Sequence, residues 1–143
     1  MSGETVYVFN TTRQCFLSLN VSLADTRFSR LRGLLGRMKR RRDDGLWVTP
    51  SQGVHTMGIL FPIDVVYLDA HNRVIHLIEH FRPFRIARIR VHARSVLELP
   101  ARTIYISGTQ VGDELLICAP EEMEDYWRGL DTRAAGRSEG AAG

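Results

Sequence analysis

The sequence is short of the residues from which many functional sites are built. Its 143 residues include two cysteines, Cys15 and Cys118, neither in a C-x-x-C pair nor at metal-ligand spacing. Each sits in an apolar, strand-like run, so both are expected to be buried free thiols. Lysine is nearly absent: the 19 basic residues include Lys39 and are otherwise arginine. Arginine reads phosphate and carboxylate well, although codon bias produces the same imbalance. No apolar run approaches the roughly 20 residues of a membrane-spanning helix. The N-terminus, MSGETVYVFN, lacks a basic stretch followed by an apolar one. The expectations are no membrane span and a cytoplasmic location. Glycine-rich phosphate loops, G-x-S-x-G elbows and H-E-x-x-H are missing as well, so no cofactor and no metal is expected.

What is present suits one soluble globular domain. Hydrophobic residues make up 44% and charged residues 24%, ordinary proportions for a packed core, and the net charge is +3. ETVYVFN (4–10) and CFLSLNV (15–21) read as strands joined by the polar turn TTRQ. In ADTRFSRLRGLLGRM, Phe28, Leu31, Leu34, Leu35 and Met38 recur at helical spacing and predict an amphipathic helix. Further strands are predicted over 45–50, 53–57, 63–69, 73–80, 94–99 and 114–118, with AHN (70–72) as a hairpin loop in which Asn72 takes positive φ. Residues 102–112 fit a strand or a short helix. Pro120 opens a last helix with an acidic first turn. Residues 131–143 are small and polar and predict a disordered tail, leaving a single domain over 1–130. The fold class expected is α+β, mainly β. It is a compact barrel-like or rolled antiparallel or mixed sheet with one packed amphipathic helix and a C-terminal helix.

Five segments carry a resemblance. RLRGLLGR, GLWVTP, VHTMGILFPIDVVYLD, RSVLELPA and VGDEL follow one another over about residues 23–118. In this order they resemble the bacterial and archaeal family called domain of unknown function 192. The resemblance implies a small, mainly β fold and no assigned reaction. Two positions depart from the family pattern. Ser51 stands where many relatives have cysteine, which weighs against thiol chemistry, and Arg102 stands where relatives usually have glycine.

Candidate site residues are polar groups placed among apolar ones. His55 and Thr56 adjoin on a predicted strand and face opposite sides. Asp64 begins an apolar face of IDVVYLD, and Glu98 lies among apolar residues in RSVLEL. A buried carboxylate needs a partner. If Asp64 and Glu98 converge, a paired-carboxylate acid/base site or a hard-metal site follows. Arg94 shares the face of Glu98 but stands some 13 Å along the strand. His76 and His80 have a spacing that chelates on a helix, not on a strand. Residues 27–42 hold eight basic side chains and no acid, among them Arg37, Arg40, Arg41 and Arg42. Residues 82–94 hold five arginines and no acid, among them Arg85 and Arg88.

Three functional readings fit these residues. The first is a binding module that presents His55, Thr56, Asp64, Arg94 and Glu98 to a protein or small-molecule ligand. The second is a small hydrolase with His55 as base and Asp64 or Glu98 as its partner. The third is binding of nucleic acid or another polyanion through the arginine stretches. Whether the protein is an enzyme stays open at this level.

Overall fold

A computed structural model describes residues 5–25, 41–53 and 60–140. The amphipathic helix expected after residue 25, most of the strand expected over 53–57, and His55, Thr56, Arg37 and Arg40 lie outside the described residues.

Among the described residues, seven strands, β1 (Thr5–Asn10), β2 (Cys15–Asp25), β3 (Gly45–Thr49), β4 (Ile63–Leu68), β5 (Val74–Phe81), β6 (Ser95–Pro100) and β7 (Leu115–Cys118), form one mixed, curled sheet in the order β5-β4-β6-β3-β2-β1-β7. β1 (Thr5–Asn10) and β2 (Cys15–Asp25) make an antiparallel hairpin. Its turn closes because Asn10 Oδ1 accepts from Arg13 N at 3.0 Å and Gln14 adopts φ 55°. β2 then runs parallel to β3 (Gly45–Thr49), in register from Val21↔Gly45 to Asp25↔Thr49. A parallel neighbour requires a long crossover, which residues 26–44 provide. β3 pairs antiparallel with β6 (Ser95–Pro100), β6 with β4 (Ile63–Leu68), and β4 with β5 (Val74–Phe81). The β4–β5 loop holds Asn72 at φ 57°. Asp69 Oδ1 accepts from the backbone N–H groups of His71 and Arg73 there.

Helix α1 (Thr103–Ser107) follows β6, β7 (Leu115–Cys118) pairs with β1, and helix α2 spans Pro120–Gly140. Within residues 102–112, which fit a strand or a short helix, Thr103–Ser107 are helical and the rest is turn or irregular. Arg102 precedes α1 at φ 76°, a left-handed conformation that glycine adopts without strain. α2 continues to Gly140, into the 131–143 stretch expected as a disordered tail. The alanines and arginines of 131–137 are good helix formers, yet the side chains there are exposed. Its first half packs Met123, Tyr126 and Trp127 against Phe9 and Phe16, with ring centroids of Phe9 and Phe16 4.9 Å apart.

The sheet has a core on each face. Val66, Leu68, Leu97 and Leu99 meet Val8, Val21 and Ile104 on one side. Ile63, Val65, Tyr67 and Val96 meet Ala87 and Ala93 on the other. Gly45 fits between strands because a Cβ there would stand 2.7 Å from Val21 Cγ2. The two edges approach at one end: Arg73 and Glu114, each one residue before an edge strand, form an antiparallel bridge and an ion pair of 2.7 Å. The cysteines lie on opposite sides of β1, Cys15 opposite Asn10 and Cys118 opposite Tyr7. Two strand spacings and three residues of rise separate them by roughly 14 Å, too far for a disulfide.

Candidate functional site

Register decides which candidates meet. In an antiparallel pair, residues opposite one another share a face. Asp64 is opposite Leu99, whereas Glu98 is opposite Val65. Asp64 therefore joins the face of Val66 and Leu99, and Glu98 joins the face of Val65 and Val96. Both are fully buried, on opposite faces of the sheet. The paired-carboxylate site that convergence would create is excluded by this register.

Asp64 serves the backbone. A bulge in β5 leaves His80 at φ 52°, with its N–H turned out of the ladder. Asp64 Oδ1 accepts that N–H at 3.0 Å, and Oδ2 accepts Ile104 N in the first turn of α1 at 2.9 Å. One carboxylate thus ties β4 to the end of β5 and to the helix start, where negative charge is favoured.

The chain excursion formed by residues 82–94 packs Ala87 and Ala93 against Val65 and Val96, on the face of the sheet that also carries Glu98. The excursion is fastened by its small residues and by hydrogen bonds. Ala87 and Ala93 turn inward and are buried in the cluster with Tyr67 and Val96. Tyr67 Oη donates to Arg88 O at 3.3 Å, Arg90 N to Gln52 O at 2.8 Å, and Arg94 N to Leu68 O at 2.8 Å. Gln52 Nε2 donates to Val91 O at 3.0 Å. Arg90 Nη2 lies 3.0 Å from His76 Nε2. A guanidinium only donates, so His76 accepts on Nε2 and carries its proton on Nδ1. Burial, and then the Arg90 charge, push His76 below its ordinary pKa. Burial pushes the Tyr67 hydroxyl up, against the Arg90 charge.

The outer side of the excursion reverses the usual pattern. Large apolar side chains point to solvent while alanines point inward: Phe84, Ile86, Ile89 and Val91 are 59%, 77%, 69% and 69% exposed. Arg82, Arg85, Arg88, Arg90 and Arg94 are exposed between them. Arg94, one of the candidate ligand residues, stands at the end of this surface, its backbone bonded to Leu68 and Ser51. Arg41 and Arg42 are exposed, but Asp43 and Asp44 follow directly, and Asp44 Oδ2 accepts Arg41 N at 3.1 Å. Arg85 and Arg88 thus stand exposed in one segment with Arg90 and Arg94, and residues 82–94 contain no acid.

A second polar cluster was not singled out from sequence. Asp113 Oδ2 accepts from Asn10 Nδ2 at 2.9 Å, Arg13 Nε at 2.7 Å and Gln110 N at 3.0 Å. Asn10 also reaches Thr109. Burial raises the Asp113 pKa, but these donors outweigh it and hold the carboxyl below its ordinary range. Asp113 O accepts Val74 N at 2.8 Å, joining the two sheet edges. The available signal was Gly-Asp directly before a strand, a turn pattern in which aspartate bonds local N–H groups.

Known proteins resemble this chain in sequence and in fold. A UPF0127 protein of Thermococcus sibiricus is 29% identical over 114 residues, covering 76% of this chain and 72% of its own length. A solved protein of unknown function from Novosphingobium aromaticivorans superposes with a TM-score of 0.59 at 19% identity, covering 78% of this chain and 82% of that one. A Sinorhizobium meliloti structure described as a "putative transcription regulator" gives 0.62 at 24% identity, covering 78% and 91%. At these identities the two structures establish the fold alone. The family model described as "Uncharacterized ACR" matches residues 8–117, and the chain belongs to that family, domain of unknown function 192.

Proposed function

We propose that the protein is a binding module whose ligand-facing surface is the excursion 82–94 and whose ligand is anionic. One observation carries this reading: five exposed arginines in thirteen residues with no acid among them, on a segment fastened to the sheet by its alanines. A fastened backbone presents its guanidinium groups with little ordering left to do on binding. Arginine suits phosphate and carboxylate because its planar fork donates two parallel hydrogen bonds. The hydrolase reading gains no support from Asp64, whose two oxygens each accept a backbone N–H.

Retention on immobilised heparin tests the reading. The variant Arg88→Glu/Arg94→Glu should elute at much lower salt than the parent. Arg133→Glu/Arg137→Glu, on the exposed end of α2, changes net charge equally and should elute close to it. Equal loss in both variants would reduce the effect to net charge and contradict a defined surface.

A further inference from the structure

Resting on the reading above, we infer that the excursion docks on an anionic phospholipid surface, with its arginines on headgroups and Ile86, Ile89 and their neighbours in the interfacial layer. Two features have to be matched by one partner. The first is charge: arginine without acid over residues 82–94. The second is Phe84, Ile86, Ile89 and Val91, all mainly in solvent although the core beneath accepts alanines from the same segment. Scattered exposed apolar residues are ordinary. Four within eight residues, each beside an arginine, are not scattered.

A free phosphate or a nucleic acid would engage the guanidinium groups and leave the four apolar side chains in water. An anionic bilayer interface satisfies both features at once, since it offers phosphate at the surface and acyl carbon just below. It also adapts to apolar side chains that alternate with charges, whereas a protein partner would need a pocket for each. The geometry requires only peripheral contact. Among the described residues no helix is long and apolar enough to cross a membrane.

Cosedimentation of the full chain with phosphatidylglycerol-containing vesicles, against phosphatidylcholine vesicles, tests the inference. Binding is expected to the anionic vesicles alone. Arg88→Glu/Arg94→Glu should weaken it by about 25-fold or more, at about five-fold per lost arginine contact. Ile86→Ser/Ile89→Ser should weaken it by about ten-fold or more while leaving heparin retention unchanged. These isoleucines are exposed, so the variant keeps its fold, which circular dichroism verifies. Vesicle binding indifferent to the isoleucines would overturn lipid docking and leave a purely electrostatic surface. No vesicle binding, with heparin retention still dependent on Arg88 and Arg94, would overturn the lipid occupant while the anion-binding reading stands. Loss of the heparin effect as well would remove both.

Discussion

Asp64 shows what a buried carboxylate does when its partners are backbone donors. Truncating it leaves the N–H groups of His80 and Ile104 without their acceptor. At about 1–3 kcal/mol for the buried Ile104 donor left unsatisfied, and less for the part-buried His80 N–H, Asp64→Ala should lose about 1–4 kcal/mol in urea unfolding. A loss below 0.5 kcal/mol, on the order of an ordinary surface substitution, would contradict this role. The apolar neighbours of Asp64 made its burial legible in the sequence. Its partners were not legible, because they lie 16 and 40 residues away and depend on a bulge and a helix start. Gly45 poses a simpler test. A methyl group there meets the stiff, fully buried Val21 side chain, so Gly45→Ala should cost about 1–3 kcal/mol.

At the scale of elements, alternating apolar strands were readable because their period is short and repeated. The five-residue helix α1 was not, since a single turn shows no period and its start depends on Arg102 in a left-handed conformation and on distant Asp64. The parallel pairing of β2 with β3 was equally hidden, because nothing local fixes which strand a crossover reaches. The fastening of the excursion carries a pH dependence. His76 accepts from Arg90 only when neutral, and its folded pKa lies below the ordinary value near 6.5. Its contribution is therefore fully present above about pH 6.5 and is lost as pH falls through the lowered folded value. Amide exchange of residues 88–91 should accelerate over that range, and His76→Gln should flatten the response. The outer half of α2 makes the opposite prediction. Its side chains from Asp131 to Arg137 are exposed, so ending the chain after Leu130 should change stability by less than about 0.5 kcal/mol.

For the whole molecule, the sheet is drawn together where the turn before β7 meets the start of β5. The exposed Arg73–Glu114 pair contributes little, as such pairs do. The cluster of buried Asn10 and Asp113 with the more exposed Arg13 contributes more. Because the Asp113 pKa is lowered, its stabilisation is present above the ordinary carboxylate value and is lost as pH falls through the folded one. Asp113→Asn should therefore reduce stability at neutral pH and remove part of the acid-induced loss, as read by thermal unfolding across pH 2–5. Among the described residues of this curled sheet, the excursion 82–94 combines arginine charge with exposed apolar groups, and the functional account rests on it. Amide chemical-shift mapping during titration with a heparin oligosaccharide tests that account most directly. The predicted result is a set of perturbations confined to residues 82–94 and their contacts at Gln52 and His76, fading as salt is raised. Perturbations centred on Asp64, Ile104 and the α1 end of the sheet, with the excursion unmoved, would contradict it.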